Sequence, residues 1–187
     1  MSLNIDIQPT PNPNALKFIL DQPVKNDGKS TYKKPSDAVN NPMASALFTI
    51  RGIDQIHFFS NVITVTKFGY EDWDEIENKV IEGIQQKIST HDANYSDPNP
   101  EEERRKLMTP EMIEIESILD KRIRPGLQGD GGDLQVLKYD KDDSVLLIKY
   151  QGACGTCPSS TTGTLEAIKG ILRDEFNPDI EVYTVND

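Results

Sequence analysis

Cys154 and Cys157 are the two cysteines of this 187-residue chain, three positions apart in Gln151-Gly152-Ala153-Cys154-Gly155-Thr156-Cys157-Pro158-Ser159-Ser160. Two thiols at that spacing suit dithiol–disulfide exchange, a structural zinc site or an iron–sulfur cluster. In each case the working species is the thiolate. Gly152 and Gly155 let the backbone turn so that both sulfurs face one point. A strand ending near Tyr150 and a helix beginning near Ser159 or Ser160 bracket the loop. That order is expected to set Cys157 close to a helix N-terminus, where unpaired N–H groups and the helix dipole favour negative charge. Zinc and cubane clusters take four ligands, and the chain has two thiols to offer. His57 lies in an apparent strand and His91 in a polar connector, so neither joins the cysteine segment, and His57 reads as a packed strand residue. The simplest complete site is therefore two chains contributing Cys154 and Cys157 each, which assembles and opens with association. Such a site suits a carrier. A thioredoxin-type dithiol needs more sheet after its active-site helix, including a cis-proline strand, than the 30 residues after Cys157 supply. It stands as the alternative, beside a zinc-bridged dimer.

The elements that must hold this loop are legible from periodicity. Thr109-Pro110 opens a helix with Met112, Ile115, Ile118, Leu119 and Ile123 on one face, and Pro125-Gly126 is expected to stop it. Leu134 to Tyr139 and Val145 to Tyr150 flank Asp140-Lys141-Asp142-Asp143 as a hairpin. Leu165, Ile168, Ile171 and Leu172 mark a second helix, and Ile180, Val182 and Val185 a last strand. In the first half, Ala15 to Leu20 reads as a strand after a proline-rich lead, followed by a looser polar stretch to Asn40. Asn41 caps a short helix with Pro42 at its first position. Ile53 to Phe59 and Val62 to Lys67 form a hairpin around Ser60-Asn61. Asp72 caps a helix striped by Trp73, Ile76, Val80, Ile84 and Ile88.

Between these halves, Ser89 to Thr109 carries three adjacent acids, three adjacent bases and two prolines, with little that is apolar. It reads as a flexible, exposed linker. The expected class is α+β: two small domains, residues 1–90 and 110–187, each a small sheet packed by helices, joined by the linker 91–109.

Net charge is -11, with 31 acidic against 20 basic residues and no basic patch, so a broad grip on nucleic-acid phosphates is not expected. Apolar runs such as Val145 to Ile148 fall far short of the ~20 residues that span a bilayer, so no membrane partner is expected. The N-terminus lacks a secretory or transit pattern. The cytosol, or a mitochondrial matrix after removal of a presequence, is the expected location.

Gly129-Asp130-Gly131-Gly132-Asp133 invites a phosphate-loop reading. It follows a helix and precedes a strand, the reverse of the order such a loop needs, and its aspartates would repel the anion. A calcium loop lacks its ligand run. A tight turn is the expected role.

Ile123-Arg124-Pro125, Gly129 to Leu134 and Gly152 to Ser160 closely resemble the C-terminal domain of NifU and its Nfu relatives. The first half resembles the Nfu N-terminal domain through Thr10-Pro11-Asn12-Pro13-Asn14-Ala15-Leu16-Lys17-Phe18-Ile19, Asn41-Pro42-Met43-Ala44, Phe58-Phe59 and Val62 to Lys67. The order is that of a two-domain Nfu protein. The resemblance implies a non-enzymatic iron–sulfur scaffold or carrier. It would hold a cluster, commonly 4Fe-4S, between the two subunits of a homodimer and pass it from cluster donors to apo-protein clients. Cys154 and Cys157 match the family's cluster ligands, and the resemblance leaves room for the Gly129 to Asp133 stretch near the cluster. The cysteine-free first domain is assigned to recognising clients or donors.

Overall fold

A computed structural model describes residues 3–96, 106–157 and 160–185. Residues 97–105 of the expected linker, and Pro158 and Ser159 of the cysteine segment, lie outside the described residues. The chain divides into two compact units, Met1–Asp97 and Pro98–Asp187.

The first unit is an antiparallel sheet with two helices. Strands β1 (Ile5–Pro9), β2 (Ala15–Leu20), β3 (Lys25–Tyr32), β4 (Ile53–Ser60) and β5 (Val62–Lys67) lie in the order β1-β2-β5-β4-β3. The β4–β5 hairpin closes where expected, with Phe59 opposite Val62 and Ser60 at φ 53° in the turn. Helix α1 (Pro42–Phe48) starts on the Asn41 carbonyl-amide side chain, which accepts from the Met43 and Ala44 N–H groups. Helix α2 (Trp73–Lys87) starts at Asp72, which accepts from Asp74 N–H. Ile76, Val80 and Ile84 of α2 and Met43, Ala44 and Leu47 of α1 bury the face of the sheet that carries Phe18, Ile56, Phe58, Ile63 and Val65.

Two strands of this sheet lay outside the periodicity reading. β3 falls in the polar stretch before Asn40, where periodicity predicts no strand, and its register with β4 shifts between Lys25 and Lys29. A polar strand with a bulge carries no alternating apolar signal, so its pairing comes from the neighbour it meets. β1 runs into the proline-rich lead and pairs with β2 from Ile5 opposite Leu20 to Pro9 opposite Leu16, where an edge strand tolerates proline. The start of the expected connector is also held: Ala93 O accepts from Asn26 N–H at 2.9 Å, and the His91 Nε2 donates to Val24 O at 2.7 Å. Tyr95 packs partly buried against the first core.

The second unit has helices α3 (Pro110–Arg122), α4 (Arg124–Gly129) and α5 (Leu165–Glu175) beside strands β6 (Gly132–Asp140), β7 (Val145–Gly152) and β8 (Glu181–Thr184). The order is β6-β7-β8, antiparallel between β6 and β7 and parallel between β7 and β8. Thr109 caps α3 through Met112 N–H at 3.3 Å. The expected stop at Pro125-Gly126 is corrected: after a break at Ile123, where φ is -114°, the chain enters α4 with Pro125 in its first turn. Proline is tolerated there because its missing N–H would be unpaired in any case. Ile115 and Leu119 of α3, Ile168 and Leu172 of α5, and Leu134, Val136, Leu146, Ile148 and Val182 of the sheet form one buried core. The mixed helices and sheets of both units make the class α+β. Among the described residues no helix is long and apolar enough to cross a membrane.

Candidate functional site

Strand β7 delivers the chain to the cysteine loop through Gly152, whose φ of 60° and ψ of -145° belong to a region open to glycine alone. A 3-10 turn, Ala153–Thr156, follows and carries Cys154, and Cys157 returns to extended backbone at φ -80° and ψ 123°. Gly155 and Thr156 are exposed at the tip, whereas Cys154 and Cys157 are each only 6% exposed. The turn therefore presents its small residues to solvent and folds both sulfur-bearing side chains inward, so the loop is exposed in its backbone and not in its thiols.

The helix expected at Ser159 or Ser160 begins as a π-helical turn, Ser160–Thr164, and the α-helical ladder of α5 starts at Leu165. Cys157 is thus farther from an α-helix N-terminus than the spacing predicts. Serine, threonine and glycine are weak helix formers, since their side chains or bare backbone favour other local arrangements, and Ser160-Thr161-Thr162-Gly163-Thr164 consists of nothing else. π turns of this kind gather at functional sites.

The Gly129 to Asp133 stretch proves to be the other wall of the loop. Gly132 faces Gly152 across the β6–β7 ladder, and Ala153 N–H donates to Gly131 O at 3.1 Å. A Cβ at Gly132 would stand 2.4 Å from the Cys154 Sγ and 2.8 Å from both its Cβ and its backbone N. Cys154 thus occupies the space that any side chain at 132 would need. Spacing alone predicts a turn for this segment; its contact with Cys154 is a feature of the folded ladder that no local signal carries.

Asp133, beside Gly132, anchors this wall. Its Oδ1 accepts from Arg124 Nε at 3.1 Å and from Leu134 N–H at 2.7 Å, and its Oδ2 from Gln128 Nε2 at 3.2 Å. The pair is buried, with side chains 10% and 2% exposed. Arg124 also binds Glu116 at 2.5 Å, pairs with Asp120, and donates to Leu134 O at 3.2 Å. Burial works against the guanidinium's charge, but Glu116, Asp133 and Asp120 outweigh it and hold Arg124 protonated beyond its ordinary range. The network ties α3 and α4 to the first residues of β6.

Tyr150 completes the surroundings. Burial pushes its phenol up, and the nearby Cys154 adds to that shift. The hydroxyl is buried and makes no hydrogen bond among the described residues. His57 and His91 both belong to the first unit: His57 is 2% exposed and shares a hydrogen bond of 2.8 Å with Thr31 Oγ1. Among the described residues no three His, Cys, Asp or Glu side chains gather as a metal site. Two thiols on a short turn, walled by glycine, are the donor set in hand, and soft sulfur donors of this kind suit iron or zinc.

Comparison with known proteins gives two family matches. Residues 5–91 match a family described as scaffold protein Nfu/NifU N terminal, and residues 115–183 match the NifU-like domain. The human NFU1 iron-sulfur cluster scaffold homolog, mitochondrial, is 34% identical over 179 residues, covering 95% of this chain and 69% of that protein. A NifU-like protein of Schizosaccharomyces pombe is 31% identical over 190 residues, covering 96% of this chain and 71% of that one. NifU-like protein 4, mitochondrial, of Arabidopsis thaliana is 28% identical over 172 residues, covering 90% of this chain. The chain spans 61% of the length of that plant relative.

Proposed function

Because the chain belongs to the Nfu and NifU-like family of iron–sulfur cluster scaffold proteins, we propose that two copies clamp one cluster through Cys154 and Cys157 of each and release it to apo-proteins. The carrying observation is that the chain's two cysteines lie three positions apart, one in a short turn and the other at its end, inside the unit matched by the NifU-like domain. Four thiolates complete a 4Fe-4S cluster, and each copy supplies half of them. The cluster is cargo here. Release follows when an acceptor's thiolates replace those of the turn one at a time, and each displaced thiolate takes up a proton or its next metal. The cysteine-free first unit is left for recognition of donors or clients. Several relatives are named mitochondrial, which supports the matrix above the cytosol as the place of action.

Anaerobic reconstitution with ferrous and ferric iron in equal parts and sulfide tests this. The expected product is a brown dimer with roughly two irons and two sulfides per chain. Mixing C154S with C157S chains is expected to restore no stable cluster, because every dimer in the mixture then carries two cysteines. Full recovery on mixing, a colourless zinc dimer, or cysteine-dependent turnover in an insulin-reduction assay overturns the proposal.

A further inference from the structure

The Tyr150 hydroxyl is a buried donor with no hydrogen-bond partner among the described residues, although Tyr150 itself is 6% exposed and packed into the core of the second unit. A phenol in an apolar core ordinarily finds a partner, since an unmade hydrogen bond there is expensive. Its neighbour on the sheet indicates where the partner comes from. Tyr150 stands opposite Leu134 on the β6–β7 ladder, and Gly152 stands opposite Gly132 one side-chain step along the same face. Cys154 fills the place of the missing side chain at Gly132. Tyr150 and Cys154 therefore lie on one face of the sheet, one side-chain step apart along the ladder, and belong to one buried cluster.

We propose that Tyr150 is a positioning residue for the cluster, its O–H held in reserve to donate a hydrogen bond to the Cys154 thiolate once that sulfur ligates iron. This rests on the cluster-carrier reading above. A thiol offers sulfur as a weak acceptor, whereas a metal-bound thiolate carries negative charge and accepts strongly, so the partner arrives with the cargo. A hydrogen bond to a ligating sulfur withdraws electron density from the iron and raises the reduction potential of the cluster. The donor comes from the strand leading into the loop, on the face that Cys154 occupies, whereas Gly155 and Thr156 are exposed at the tip.

The test compares full-length native protein with Tyr150→Phe, and with Tyr150→Leu as a second apolar replacement. Each is studied cluster-free and after anaerobic loading with ferrous and ferric iron in equal parts and sulfide. Compared at equal iron and sulfide content, both variants are expected to show a cluster potential shifted to more negative values. Cluster-free Tyr150→Phe is expected to melt at the native temperature or above it, because it removes a buried polar atom that has no partner among the described residues and leaves the ring. An unchanged potential at equal loading overturns the proposal. So does a lowered cluster-free melting temperature of Tyr150→Phe, which would mean that the hydroxyl already serves the protein's own structure. If the native protein takes up no cluster, the carrier reading falls and this proposal with it; if the native protein loads and the potentials agree, only the role of Tyr150 falls.

Discussion

Gly132 is where one missing atom shapes the site. Any side chain there meets the Cys154 Sγ at 2.4 Å, which a rotation of χ1 could relieve, but also the Cys154 backbone N at 2.8 Å, which it could not. The Cys154 turn must move as a unit to admit even a methyl group. Gly132→Ala is therefore expected to destabilise the second unit by about 1–3 kcal/mol, the usual cost of forcing extra volume into a packed place. It is also expected to cut the iron retained after reconstitution. Gly126→Ala is the control, because a Cβ at that helical position meets nothing within 4 Å. Urea unfolding and iron analysis of the two variants separate the cases: equal behaviour would mean that the Gly132 contact does not constrain the turn.

At the scale of elements, Arg124 joins pieces that sequence periodicity leaves unconnected. It sits at the junction between α3 and α4, yet three carboxylates from α3 and β6 converge on it. Charges removed from water are stable only when paired and hydrogen-bonded, and Asp133 meets that condition through three donors. Arg124→Ala leaves Asp133 buried without its cation, so a loss of about 3–5 kcal/mol is expected in urea unfolding of the second unit. Because Asp133 follows Gly132 directly, the same variant is expected to loosen the cysteine turn, seen as faster reaction of Cys154 and Cys157 with a thiol reagent. Native thiol reactivity in a variant so destabilised would show that the network supports the core alone.

For the whole molecule, each unit holds its own buried core, one built on Phe18, Ile56, Phe58 and Ile63 and the other on Ile115, Leu119, Leu134 and Ile148. The polar composition between them, together with the hydrogen bonds that tie residues 91–95 to the first unit, narrows the expected point of cleavage to residues after Ser96 and before Thr109. Limited proteolysis is expected to leave two resistant fragments there. The C-terminal fragment is expected to take up iron and sulfide without the other. A C-terminal fragment that is digested away, or that stays colourless while the intact chain loads, would mean that the first unit supplies part of the core or of the site.

What could be read without coordinates is what depends on neighbours in the chain. The caps at Asn41, Asp72 and Thr109 each bond the N–H groups two or three residues ahead. The apolar stripes of α2, α3 and α5 repeat at helical spacing, and the β4–β5 and β6–β7 hairpins join strands adjacent in sequence. Cys154 and Cys157 stand out by count and spacing alone, and the motifs around them carry the family resemblance. Tertiary structure decided what depends on residues far apart in the chain. β3 pairs because β4 offers it an edge, not because Lys25–Tyr32 alternates, whereas Ile5-Asp6-Ile7-Gln8 of β1 does alternate and only its run into the proline-rich segment hides the strand. The inward turn of the thiols, the space Gly132 leaves for Cys154, the carboxylates around Arg124 and the buried hydroxyl of Tyr150 likewise arise only when β6, β7, α3 and α4 meet. A local pattern fixes which face of an element is apolar, but a contact between distant residues is set by how those faces pack, and that is a property of the fold.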